Sequence, residues 1–298
     1  MPKKSKTPAP LMSGQSVSEA FATILKFNFD YLLTWEQAAR SWDHIEGVHQ
    51  SRVTLRRMRS ALSLFRNALP KTSRKYWSEE LRWVAGELGM ARDMDVLISE
   101  SLAAAAEDLP LKGAQGLMRL AEQRRAQAYQ EQVCPMLDSD RYRSFKEGFE
   151  AWFDKKQWET DEPSKKQSKL LASNVVGFSR GLMDKQERRV LAAGSHVDRL
   201  DAKAMHSLRI ECKKLRYAAE FFSPLFTGMD DFILQMKGLQ DLLGLMNDVA
   251  VMRQLLDNLL ADVSDHETLV YAGGLVGWRT CDYHHMLNRF DVYWEEFI

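Results

Sequence analysis

His49, Arg52, Arg56 and Arg59 follow one another at three- and four-residue spacing, which stacks side chains along one face of a helix. At about 100° per residue, with His49 at zero, these arginines fall at about −60°, −20° and −80°. Arg66 extends the stripe at about −100°, and Arg57 sits on its flank at about +80°. Leu55, Met58, Leu62, Phe65 and Leu69 take the opposite arc. From His49 to Arg66 there are five arginines and no acid. Stacked like charges cost a few tenths of a kcal/mol per pair, roughly, so an unneutralised stripe points to an anionic ligand. Arginine suits phosphate, because its planar fork makes two parallel hydrogen bonds to the oxygens. The stripe from His49 to Arg59 is about 15 Å long at the helical rise, enough for several successive phosphates and too long for one.

The pattern occurs twice. His206, Arg209, Lys213 and Arg216 form a second stripe 157 residues after the first (49 to 206), with Lys214 on its flank. Here Leu208, Cys212, Leu215, Ala219 and Phe222 face inward, while Glu211 and Glu220 dilute the charge. Leu88-Gly89 through Asp93 aligns with Leu243-Gly244 through Asp248, and Arg125 and Tyr129 align with Arg279 and Tyr283. Three ordered matches at a nearly constant offset predict a duplicated helical bundle with a pseudo-twofold axis. The plainer reading, a solvated basic face paired with acids from other helices, fits one such helix better than two matching ones.

Elements that carry these stripes follow from composition and period. Glycine (16) and proline (8) are sparse, and Ala, Leu, Met, Glu, Lys and Arg recur with helical spacing. The pattern predicts helices over 16–45, 47–69, 72–88, 91–107, 111–137 and 140–157, then 167–198, 201–223, 230–244, 247–262 and 265–297. Pro70, Pro110 and Pro224 mark boundaries, and Gly89 and Gly244 read as C-terminal caps. The expected class is all-α: two bundles of long antiparallel helices around a central basic groove or pore. Residues 1–15 read as a flexible tail, 16–158 and 167–298 as the two halves, and 159–166 as the linker.

The motifs HxxRVxxRRxR and LGxxRDxDV in the first half, with HxxRIxxKKLRYxxEFF and LQDLLGxxND in the second, closely resemble the CHAD family, the conserved histidine α-helical domain. The resemblance spans about residues 17–293. It implies two bundles packed about a pseudo-twofold axis, with basic helices lining a groove or pore that binds long-chain inorganic polyphosphate. Family members are associated with polyphosphate granules, and some are fused to a triphosphate-tunnel domain. Carried over by position, the ligands are His49, Arg52, Arg56, Arg57 and Arg59, and His206, Arg209, Lys213, Lys214 and Arg216. Arg66, Arg92, Arg125 and Arg279 are outer candidates. The repeat departs from symmetry at Asn247 and Ala250, which stand where the first half has Arg92 and Asp95. The tunnel signature ExExK does not occur, so a stand-alone binding domain is expected.

Other chemistries have less to stand on. A formal net charge of zero, from 41 basic and 41 acidic residues, argues against a surface that coats nucleic acid or membrane. A nucleic-acid-binding helical protein is the second reading, weakened because no aromatics interleave the basic faces for base stacking. A metal shared by His49 and His206 needs a third ligand, and no Asp, Glu or Cys sits one turn from His206. A metal-dependent phosphate-chain enzyme needs clustered carboxylates, which the basic helices lack. Glycine-rich phosphate loops, GxSxG and HExxH are missing, so a binding protein is expected rather than an enzyme, with no cofactor and no metal. Asp93 and Asp248 read as helix caps or as orienting partners of the basic side chains. His284 and His285 read as surface residues. Three separated cysteines and the absence of a long apolar run lead to the expectation of a cytoplasmic protein, with granule association from the resemblance.

Overall fold

The computed structural model describes residues 8–199 and 201–298, and among these no strand forms; Ser16 and Asn174 make one isolated antiparallel bridge. The first half runs α1 (Val17–Ser41), α2 (Glu46–Leu64), α3 (Lys71–Glu87) and α4 (Gly89–Val96). A π-helical segment (Leu97–Leu102) leads into α5 (Ala103–Asp108), followed by α6 (Ala114–Ala128). A second π segment (Tyr129–Val133), α7 (Cys134–Asp138) and α8 (Asp140–Asp154) complete this half. The second half runs α9 (Lys165–Leu171), α10 (Val175–Gly194), α11 (Ala202–Phe222), α12 (Met229–Leu259) and α13 (His266–Phe297).

The inward faces of the two basic helices are buried as their spacing requires. Leu55, Met58, Leu62 and Phe65 on and just beyond α2, and Leu208, Cys212, Ala219 and Phe222 on α11, are all fully covered. The helix α2 packs between α1 and α3, and α11 between α10 and α12. The two also pack on each other, where Arg57 of α2 meets Glu220 of α11 at 3.0 Å. Three apolar clusters hold the fold. The largest unites α1, α2, α3 and α8 and takes in Tyr217, Ala218, Phe221 and Phe222 from α11. A second lies among α10, α11, α12 and α13. The third joins Met94, Leu97 and Leu117 of the first half to Met252, Leu256, Tyr271 and Leu275 of the second. Two of the three cores therefore cross the boundary between halves, and neither half buries its apolar faces alone.

Several expectations need correction. The expected tail docks from its eighth residue: Ala9 and Leu11 are buried in the main core, and the Val17 and Val175 amides bond to Ser173 and Gln15 across the two halves. Its first seven residues lie outside the described ones. The expected linker is tied down as well. Trp158, just before it, is fully buried and donates its indole N–H to Ser18, whose hydroxyl bonds Glu159. Ser164 then opens α9 with a reciprocal capping box to Gln167. The single helix expected over 167–198 is broken, because Asn174 caps α10 by accepting from the Val176 amide at 2.8 Å. Conversely, the two helices expected over 230–262 are one, and Gly244 lies inside α12 rather than capping anything. Gly89 is the first residue of α4, entered from Leu88 at a right-handed φ of −84°. The left-handed glycines are Gly113 and Gly228, each placed immediately before a helix.

Candidate anion-binding groove

Where α2 and α11 lie side by side, their polar faces border two connected clefts that share Arg56 and Arg209. These two arginines form a waist. On one side lies a narrow cleft of about 420 Å³, on the other a wide one of about 920 Å³. A third cleft of about 260 Å³ adjoins the wide one through Ser63 and Lys214. The clefts follow α2 from His49 to Arg66, about 25 Å at the helical rise.

The wide cleft is almost purely cationic. From α2 come Arg56 and Arg59, and from α11 come His206, Arg209, Lys213 and Lys214. The helix α3 adds Lys71, Arg74, Lys75 and Arg82, so among the described residues nine Lys or Arg side chains face one acid, Glu79. That acid lies 3.8 Å from Lys75. Burial and the neighbouring cations push the Arg59 and Arg209 guanidinium groups below their usual range. Lys213 responds most. Burial, then Arg209 and Arg56, push its ammonium down to about 7 against the opposing pull of Asp248. The Nε atoms of Arg74 and Arg209 are buried without a hydrogen-bond partner.

The narrow cleft is mixed. His49, Arg52, Arg92 and Arg279 join the waist arginines, but Asp93, Glu100 and Asp248 also line it. Arg52 reaches across to donate to the Ala85 carbonyl at 2.6 Å, and Arg92 pairs with Glu100 at 3.2 Å. Burial raises the Asp93 carboxyl against the pull of Arg52 and Arg92, and Asp248 adds to the rise. Asp93 and Asp248 thus serve as counter-charges inside helices; neither is a helix cap.

The structure sorts the sequence-derived candidates into three groups. His49, Arg52, Arg56, Arg59, His206, Arg209, Lys213 and Lys214 line the two main clefts, joined by Arg92 and Arg279. His49 and His206 border different clefts. Among the described residues no group of three or more His, Cys, Asp or Glu is placed to hold a metal ion. Lys214 is also paired with Glu211 at 2.5 Å, and Arg66 borders the third cleft with Lys185 and Arg189.

Arg57, Arg216 and Arg125 are committed elsewhere. Arg57 and Arg216 share the carboxylate of Glu220, at 3.0 and 3.4 Å, in the α2–α11 seam. Arg125 donates to Asp95 at 2.6 Å, and its guanidinium lies over the rings of Trp42 and Tyr129. The Asp95 side chain is fully buried and also accepts from the Tyr129 hydroxyl at 2.9 Å. In the second half Ala250 stands at the Asp95 position, and Arg279, without that anchor, faces the narrow cleft. The side chain of Asn247, the other departure from symmetry, lies outside the described ones.

Sequence reasoning missed the contribution of α3, although the signal was present. Lys71, Arg74, Lys75, Ser78 and Arg82 fall within an arc of about 100° on a helical projection. Only Arg82 of that stripe has a basic counterpart in the second half, Lys237, so the repeat does not reveal it. Lys185 and Arg189 on α10 were missed for the same reason.

Fold and site together define an all-helical protein in which two packed basic helices border a cationic groove. The CHAD domain family model matches residues 23–257, and the chain belongs to the CHAD family. A crystal structure of the CHAD domain from the plant Ricinus communis is similar, with a TM-score of 0.80 at 26% identity, over 98% of this chain and 96% of that one. PptA from Streptomyces chartreusis has the same fold, with a TM-score of 0.70 at 17% identity, over 94% of this chain and 100% of that one. Uncharacterized proteins from two strains of Mycobacterium tuberculosis are 28% identical over 248 residues, which is 81% of this chain and 46% of theirs. The chain thus spans about half the length of these curated relatives.

Proposed function

We propose that this protein binds long-chain inorganic polyphosphate in the groove along α2 and α11, acting as a binding protein rather than an enzyme. The observation that carries the reading is the wide cleft, where nine Lys or Arg side chains face a single acid. Such a surface neutralises a linear polyanion and releases its counterions on binding. Among the described residues Tyr217 is the one aromatic ring of Phe, Tyr or Trp lining the wide cleft and is buried, so bases find no stacking platform on them, which favours an inorganic chain over nucleic acid. The acids of the groove lie beside arginines, an arrangement suited to positioning cations and unlike the clustered carboxylates of a metal-dependent phosphatase. Granule association follows from polyphosphate binding in the cell.

The test is competition at physiological salt among long polyphosphate, RNA and DNA for the protein. Polyphosphate is expected to displace both nucleic acids, with an affinity that falls as salt rises. Equal displacement by all three, or affinity indifferent to salt, removes the reading.

A further inference from the structure

We infer that the narrow cleft is a separate site for a nucleoside phosphate, such as an adenine nucleotide. The polyphosphate reading leaves its outer wall unexplained. An inorganic chain has no apolar surface, yet Val96, Val251 and Leu255 are partly exposed where they line this cleft, over the buried Leu97 and Met252. Its volume of about 420 Å³ falls in the range of small-molecule sites, which combine an apolar wall with a few converging polar groups.

The layout gives the ligand a direction. Arg56 and Arg209 stand at the waist, with Arg52 beside them on α2. The helix α12 enters the cleft at Asp248 and carries Val251 and Leu255 onward, about 10 Å from Asp248 to Leu255 at the helical rise. Phosphates therefore sit toward the waist and the base against Val96, Val251 and Leu255. Asp93, Asp248 and Glu100 repel a bare phosphate chain, but they accept hydrogen bonds from ribose hydroxyls and from a base amino group. Arg92 and Arg279 offer planar guanidinium groups to a ring face. The lining also includes Leu97, Glu100 and Ser101 from the π-helical segment, a local distortion of the kind often found at ligand sites.

Calorimetry on the full chain compares ATP with inorganic tripolyphosphate, both without metal. Tripolyphosphate carries the greater charge, so preference for ATP has to come from the nucleoside. ATP is expected to bind at least about tenfold more tightly, the value of about 1.4 kcal/mol. The neutral double variant Val251→Gln/Leu255→Gln is expected to erase that preference and leave tripolyphosphate binding unchanged. Saturation-transfer NMR on the wild type is expected to light the adenine protons, which guards against a variant that fails to fold. Equal affinities for ATP and tripolyphosphate in the wild type overturn the inference, as does a preference that survives the double substitution in a folded variant. A parallel titration with long polyphosphate separates the two readings: nucleoside preference without polyphosphate binding refutes the proposed function and leaves this site standing, and the converse refutes this site alone.

Discussion

The narrow and wide clefts are bordered by the same two helices, yet one carries its own counter-charges and the other does not. At the narrow end α4 and α12 bring Asp93 and Asp248 against Arg52 and Arg209, and Glu100 pairs Arg92. At the wide end α3 adds four more cations to those of α2 and α11. The contrast shows that the basic stripes alone do not decide the charge balance of the groove. The helix laid over them does. At the 155-residue offset that relates Gly89 to Gly244, Lys71, Arg74 and Lys75 correspond to Phe226, Met229 and Asp230. Of the four α3 cations only Arg82 meets a basic residue at that offset, Lys237, so most of this charge belongs to the first half and the groove is polarised.

The largest expected effect comes from removing that polarity. Lys71→Ala/Arg74→Ala/Lys75→Ala leaves the α2 and α11 stripes intact, and two of its three sites are exposed, so the fold should persist. Long-chain polyphosphate affinity, followed by fluorescence anisotropy, is expected to fall by about a hundredfold, as for the loss of two strong charge-assisted contacts. The slope of log affinity against log salt should flatten by about two to three. An unchanged affinity breaks the comparison, because it leaves α3 without a role.

A second test uses the ammonium that burial and crowding hold near 7. An anion in the wide cleft raises the Lys213 pKa, so binding takes up a proton. The contribution is complete below the ligand-free value of about 7 and is lost as pH rises through the bound value. Affinity is expected to drop by about tenfold between pH 6 and pH 9. Lys213→Arg, which stays charged, should flatten that profile in the same titration.

Neutralising the counter-charges sharpens the contrast from the other side. Asp93→Asn/Asp248→Asn makes the narrow cleft resemble the wide one, and affinity for inorganic chains should rise by about threefold to fivefold in an effective dielectric of about 20. A fall would mean that these carboxylates position the arginines rather than oppose the ligand.

The smallest effect on binding belongs to the seam. Glu220→Gln removes the carboxylate shared by Arg57 and Arg216, and thermal unfolding should show a loss of about 1–2 kcal/mol. Polyphosphate affinity is expected to stay within about twofold, as those two arginines line neither main cleft.

Much of the fold was legible because amphipathic helices write their buried face into a period of 3.6 residues. Leu55, Met58 and Leu62, and Leu208, Cys212 and Leu215, were placed inward by spacing and are buried. The residues of the groove that repeat between halves were legible for the same reason. Helix ends were harder. Gly244 resembles a cap locally, but α11 and α13 both pack on α12 and hold it as one helix, so tertiary contact overrides the weak cost of one glycine. Leu11 looks isolated in sequence and finds its core only where the two halves meet.

What the sequence by itself determined is the all-helical class, the two basic stripes and the family motifs, because each depends on residues within a turn or two of one another. Only the tertiary structure decided which cations face the groove. Arg57, Arg125 and Arg216 carry the same charge as Arg56, but each meets a carboxylate from its own or another helix and is held there. Lys71, Arg74 and Lys75 gained their place because α3 packs beside α2 and turns its basic face to Lys213. Charge is a property of the residue, whereas neutralisation depends on what lies within a few ångströms, and that distance is set by the packing of helices far apart in the chain.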